Sequence, residues 1–406
     1  MEKKGEISMK TILCAICAGL FISAAAYPAH AAAKEEQPLV KIALAEKELP
    51  KSNSRFAYPS GLHFTHPDKV RGIYVTGHSA GGSKFGELTD FVDKTELNTM
   101  VIDVKDDNGN LTFKPDGHSE YAKIAKPYIK DPKKMMKKLE EKKIYPIARI
   151  VVFKDSELAN KKPEWSFKEK NGSVWKNGRG ESFVNPFMKE VWDYNVKIAK
   201  QAVKMGFQEI QFDYVRFPEG FEKRDDELTY GHGDYGKTAD SNVQKRVHAV
   251  TDFVGYAKKK LKPYGADVSV DIFGYSATLP EAPGIGQNFS KISEQVDVIS
   301  SMIYPSHWTS YFGIDKPDLE PYNVVKEYAK VENKKLSKLK HPPVSRPWLQ
   351  DFTASYLGSG NYQKYGKRQV EEQVKALHDE GIDEFLLWDA ANRYTKNVDY
   401  TPFLKN

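Results

Sequence analysis

The run Glu209-Ile-Gln-Phe-Asp-Tyr-Val-Arg-Phe-Pro218 decides the fold of this 406-residue chain. Ile210, Phe212, Tyr214 and Phe217 favour a β-strand, and Pro218 closes it. Asp213 and Arg216 stand inside that apolar run, where a charge is costly unless it is paired or used. Just upstream, Val191, Tyr194, Ile198, Ala202 and Met205 share one face of a helix over Glu190–Met205, and Gly206 supplies its stop. A helix feeding a strand with a carboxylate near its C-terminal end is the arrangement of an α/β barrel, whose chemistry gathers at that end.

Working outward, β-rich runs alternate with amphipathic stretches from Arg71 onward. The expected strands are Gly72–Thr76, Met100–Lys105, Pro146–Phe153, Glu209–Phe217, Val268–Gly274, Val298–Tyr304, Val344–Asp351 and Glu384–Asp389. Val370, Val374 and Leu377 mark a further helix over Gln369–Glu380, stopped by Gly381. Eight strands separated by helices predict an α/β (β/α)8 TIM barrel over residues 70–406, with a doubly wound sheet as the alternative. Two long connections, Lys154–Pro186 and Glu219–Ser241, follow the third and fourth strands. Both should emerge on the catalytic face as lids or binding loops.

Hydrophobic residues make up 40% of the chain and aromatics 12%, which suits a globular core. The net charge of +6 comes from 61 basic and 55 acidic residues spread along the chain, and implies no nucleic-acid partner. The N-terminus has the form of a secretory signal over residues 1–31. Lys3, Lys4 and Lys10 precede an apolar stretch from Thr11 to Ala26, and Ala29-His-Ala31 offers a cleavage site. The expectation is therefore a secreted or cell-envelope protein with no stable membrane insertion after cleavage. Residues 32–69 read as an extension or linker. Both cysteines, Cys14 and Cys17, lie in the signal, which leaves the mature chain without disulfides or thiol chemistry.

Strand alternation fixes which side chains face the barrel interior. With Asp213 inward, Gln211 joins it and Ile210, Phe212 and Tyr214 face the helices. By the same rule Val101, Asp103 and Lys105 face inward from the second strand, Arg149 from the third, and Ser269, Asp271 and Phe273 from the fifth. Arg346, Trp348 and Gln350 do so from the seventh. The interior thus collects Asp103, Lys105, Arg149, Asp213 and Asp271, where a barrel filled for stability alone would use Val, Ile and Leu. Asp213 and Asp271 on neighbouring strands form the carboxylate pair that acetal hydrolysis needs, one group protonating the leaving oxygen and the other attacking or activating water. The competing account is a structural ion network with Arg149, Lys105 and Arg216. Tyr304, His307, Trp308, Trp348 and Trp388 recur near strand ends, where flat rings stack on sugars, and Gln350, Asp389 and Asn392 can meet hydroxyls.

Gly77-His-Ser-Ala-Gly81 matches the G-x-S-x-G nucleophile elbow, with Ser79 as nucleophile. Little chain precedes it, and no glycine-rich oxyanion motif stands upstream, so the esterase class is disfavoured. The ten histidines include no H-x-H or H-E-x-x-H, and Asp103-Val-Lys-Asp-Asp-Asn-Gly109 has its glycine at the wrong offset for a calcium loop. No metal and no cofactor is expected, and the latter run reads as a solvated turn.

Arg71-Gly-Ile-Tyr-Val-Thr76, Asn98-Thr-Met-Val-Ile-Asp-Val-Lys-Asp106, Phe183-Val-Asn-Pro186, Val191-Trp-Asp-Tyr194 and Phe212-Asp-Tyr-Val-Arg-Phe-Pro218 together resemble the bacterial "putative glycosyl hydrolase domain" family, a TIM-barrel group distantly similar to the α-amylase superfamily. The resemblance spans about Val70 to Tyr394. It implies a (β/α)8 fold and a glycosidase acting on a polysaccharide or oligosaccharide. In amylase-like barrels the nucleophile is an Asp ending the fourth strand, which Asp213 matches, and the acid lies on the fifth. Asp271 stands on that strand where amylases carry Glu, and Gln211 replaces the Arg that they place two residues before the nucleophile. Asp103, Arg216 and Gln350 would orient the substrate. A non-catalytic carbohydrate-binding barrel at the cell envelope is the alternative from another class.

Overall fold

The computed structural model describes residues 60–115 and 120–401. The expected signal over 1–31 and most of the 32–69 extension lie outside the described residues. Eight strands form the barrel: β1 (Arg71–Val75), β2 (Thr99–Lys105), β3 (Tyr145–Val151), β4 (Glu209–Asp213), β5 (Asp267–Phe273), β6 (Val298–Met302), β7 (Trp348–Gln350) and β8 (Phe385–Trp388). Each pairs in parallel with its neighbours in chain order, and β1 pairs with both β2 and β8. That pairing closes the ring, so no free edge remains as a doubly wound sheet would have. Each expected strand overlaps one of the eight.

Alternation builds two cores. Ile210, Phe212, Val268, Val270 and Ile272 point outward into the layer beneath the helices. Val101, Tyr145, Ile147, Tyr304, Trp348 and Leu386 fill the barrel axis. The helices Lys189–Met205 and Lys367–Asp379 bury the apolar stripes read from the sequence. Gly206 ends the first at φ 111°, in the left-handed region that suits glycine. A Cβ there would meet Leu62 Cδ1 at 2.7 Å. Gly206→Ala is expected to cost about 1–2 kcal/mol, read as a drop in unfolding free energy by urea titration.

The seventh strand departs from its expected span. A two-residue piece, Val344–Ser345, pairs with the start of β6, and the ladder resumes at Trp348 after Pro347. Proline has no N–H to give the ladder, so the strand breaks there. Between β2 and β3 lie two short strands absent from the sequence reading, Leu111–Phe113 and Ala125–Ile129.

The N-terminal mouth of the barrel is closed by charge. Arg346 donates to both oxygens of Glu209 at 2.9 and 2.8 Å and to Glu384 at 2.8 Å, all three being buried. Ser269 Oγ also donates to Glu209. Residues 60–69 run across this mouth: His66 packs edge-on against Tyr145, and the His63 N–H donates to Glu140.

Candidate active site

The C-terminal ends of the strands open into a cleft of about 400 Å³. Its floor is built on β4. The strand stops at Asp213 because Tyr214 takes a left-handed conformation at φ 51°. This turn costs a non-glycine residue roughly 1–2 kcal/mol, and such strain gathers at functional sites. It also resets the alternation. Tyr214, expected to face the helices, turns into the cleft, Val215 and Phe217 go into the helix-facing core, and Arg216 returns to the cleft beside Asp213. The charges at positions 213 and 216 therefore share one cavity although they are out of phase for a continuous strand.

Arg149 organises the carboxylates. It stands level with Gln211 on the adjacent strand. Its Nε and Nη2 both donate to Asp213 Oδ2, at 3.0 and 2.6 Å, Nη1 donates to Asp103 at 2.7 Å, and Nη2 donates to Asp107 at 2.8 Å. The other Asp213 oxygen accepts the Tyr214 N–H at 2.6 Å. An arginine thus reaches the β4 carboxylate from β3 rather than from two residues upstream. Burial pushes the Asp103 carboxyl up to about 6 against the pull of Arg149, and Tyr74 Oη also donates to it. Partial burial raises Asp107 too, but Arg149 and Lys154 outweigh it and hold the group at about 2.

Asp271 sits under the cleft lining rather than on it, almost fully buried. Past the last ladder pair, Phe212 with Val270, Asp213 falls level with it. Burial first, and the charge of Asp213 second, push the Asp271 carboxyl well above the usual range. Trp348 Nε1–H opposes this by donating to Asp271 Oδ1 at 2.8 Å. Burial and the neighbouring charge thus both favour the protonated form of Asp271 over the carboxylate.

Arg149, Arg216, Tyr304, His307, Trp308 and Trp388 line the cleft with Asp213. Asp103 and Trp348 lie one layer below, touching Arg149 and Asp271. Lys105 is elsewhere. A bulge between Asp103 and Lys105 breaks the alternation, and the ammonium pairs with Asp155 at 2.6 Å and donates to Asn195 at 3.0 Å. Gln350 accepts the Ser306 N–H and donates to Asp318, and Asp389 accepts the Ala391 N–H. Asn392 bonds Thr76 and Tyr74, latching the last loop onto β1. These three polar side chains are spent on holding loops.

The cleft also takes Phe273, which alternation turns inward, and residues that strand periodicity does not reveal: Asp107, Arg179, Tyr214, Glu219 and Tyr275. Asp107 belongs to the expected turn, closed by Gly109 N–H to Asp106 O at 3.0 Å. The turn itself aims its carboxylate at Arg149 and Lys154. The G-x-S-x-G segment forms a short helix, Gly77–Gly81, after β1. His78 there packs on the Tyr128 ring, and among the described residues no hydrogen bond joins Ser79 Oγ to a histidine. No group of three or more His, Cys, Asp or Glu among the described residues could hold a metal.

The model of the family described as "Putative glycosyl hydrolase domain" matches residues 72–394. The chain belongs to that family. The matched span takes in every cleft residue named above, and the family's description supports a glycosidase-type function. No curated protein matches the chain in sequence. Among solved structures, a hypothetical protein from Ruminiclostridium thermocellum is 30% identical, with 49% of this chain and 96% of that one covered, at a TM-score of 0.43. The PgaB (BpsB) glycoside hydrolase domain from Bordetella bronchiseptica is 12% identical, with 80% and 94% covered, at 0.56. A β-galactosidase from the psychrophilic Marinomonas ef1 is 11% identical, with 79% and 54% covered, at 0.52. Those last two likenesses bear on the barrel fold alone.

Proposed function

We propose that the chain is an exported glycoside hydrolase that cleaves O-glycosidic bonds of a polysaccharide, with Asp213 as nucleophile or base and Asp271 as general acid. One observation carries the reading. Two carboxyls stand level on adjacent strands, Asp213 in the wall of an aromatic-lined cleft and Asp271 buried just behind it, where burial and the Asp213 charge favour its protonated form. Glycoside hydrolysis needs that division of labour. Arg149 fixes the orientation of Asp213, while Trp348 fixes that of Asp271. Tyr304, Trp308 and Trp388 offer flat faces to a sugar ring, and Arg216 orients it. The N-terminal signal pattern supports export. Among the described residues, no helix is long and apolar enough to cross a membrane.

The role of Asp271 has a pH signature. A general acid works only while protonated, so turnover should fall as pH rises through its raised pKa. Asp271→Asn should slow hydrolysis of an unactivated glycan by about 10²- to 10⁴-fold and erase that alkaline limb. An aryl glycoside, whose leaving group needs no proton, should lose far less. Equal losses on both substrates would remove Asp271 from the acid role.

The ion network favours one other reading, a carbohydrate-binding barrel without turnover, because Arg149 occupies Asp213 and Asp271 lies below the surface. Glycan retention with no release of reducing ends, unchanged in Asp271→Asn, would select it.

A further inference from the structure

Beside the cleft, and sharing Arg179, Tyr214, Arg216 and Glu219 with it, lies a side chamber of about 260 Å³. It is made by the two long connections. The first carries a hairpin tip at Asn177–Glu181, where Asn177 Oδ1 accepts the Arg179 and Glu181 N–H groups and Gly180 turns at φ 77°. The second contributes Glu219 and Arg224, the segment after β4 adds Arg216, and an isolated bridge between Lys168 and Thr229 ties the two connections together. The walls are therefore fixed by backbone pairing rather than by long side chains alone.

Three guanidiniums face this space, and their compensation is poor. Arg216 is 6% exposed, yet its carboxylate partner Glu219, at 3.1 Å, is 64% exposed and free to swing into solvent. Its Nη1 also donates to the Phe217 carbonyl oxygen at 3.1 Å, and the rings of Phe273, Tyr214 and Phe183 stand at 4.7, 4.8 and 5.8 Å. Arg224 lies over the Trp175 ring at 5.8 Å and reaches Glu227 only at 3.5 Å, both ends being exposed. Arg179 makes no ion pair among the described residues, although Glu181 feels its charge. Glu181 itself is already committed to Lys154 at 3.2 Å and Asn177 at 2.7 Å. A buried guanidinium with a solvated partner, as Arg216 is, gains most from a planar anion that it can grip with two parallel hydrogen bonds.

We propose that this chamber receives an acidic substituent of the substrate, a carboxylate or a phosphate ester, so that the glycan cleaved in the adjoining cleft is an anionic polysaccharide. On this assignment Glu219 is a placeholder that the incoming anion displaces from Arg216. The cleft stacks the sugar faces while the chamber reads the charge. The word substrate rests on the glycosidase reading above; the anion site does not.

The test needs no turnover. D-glucuronate, glucose 6-phosphate and neutral D-glucose are titrated into the full chain, with tryptophan fluorescence as readout and Trp175→Phe identifying the signal of the ring beneath Arg224. A saturable response to one or both anions, absent with D-glucose and weakened by added salt, is expected, and the tighter anion tells carboxylate from phosphate. The Arg179→Ala, Arg224→Ala double variant should weaken it about tenfold or more. No saturable response to either anion, an equal response to D-glucose, or full binding by the double variant would overturn the proposal. Anion binding in a protein that releases reducing ends from no glycan would leave the chamber standing and remove the hydrolase.

Discussion

Asp213→Asn is expected to abolish glycan hydrolysis, by about 10⁴-fold or more, while the barrel stays folded. The amide has nearly the shape of the carboxylate but can neither attack an anomeric carbon nor take a proton from water. The fold should survive because Arg149 is not stranded: Asp103 and Asp107 still accept from it at 2.7 and 2.8 Å. The amide oxygen can still accept the Tyr214 N–H that holds the turn. Reducing-end release and urea unfolding, measured on the same preparation, separate the two outcomes. Hydrolysis at the wild-type rate would transfer the nucleophile role elsewhere. A collapse in stability would mean that Asp213 serves the network rather than the reaction.

The second large effect lies at the other end of the barrel. Arg346→Met should destabilise the protein by about 3–5 kcal/mol without touching the cleft. Arg346 is the cation between Glu209 and Glu384, and Glu209 is wholly buried. Removing it leaves Glu209 with Ser269 as its only side-chain donor among the described residues, in a fully buried site. The cost is that of the abandoned charge, not of the lost contact. Replacing Glu209 and Glu384 by apolar residues together with Arg346 should therefore restore most of the loss, by urea titration of the single and triple variants. A single variant within about 0.5 kcal/mol of the parent would show that the triad is dispensable.

The barrel was legible because its signals are periodic. The alternation in Val268–Gly274 and the three-and-four spacing in Glu190–Met205 each specify a buried face, and eight such strands leave few topologies. The site was legible where it lies on strands or, as at Tyr304, His307 and Trp308, just past their ends. Arg149, Asp213 and Asp271 could be placed by parity, since a strand has only two faces. Lys105 and Tyr214 could not, because a bulge and a left-handed residue break parity without a compositional mark: no glycine stands at either point. Arg179 and Glu219 come from connections whose course depends on distant partners, such as the Lys168–Thr229 bridge. Asp107 was hidden in another way. Its segment is indeed a turn, but Arg149 and Lys154 draw its carboxylate into the site, and only the third dimension brings them there.

The strap formed by residues 60–69 has a practical consequence. It crosses the end of the barrel that holds Arg346, Tyr145 and Glu140, so the described chain begins at the pole opposite the cleft. A tag or surface linkage placed ahead of Ser60 therefore leaves the mouth of the cleft facing away from the support. Access to Trp308 and Trp388 is then clear of the point of attachment.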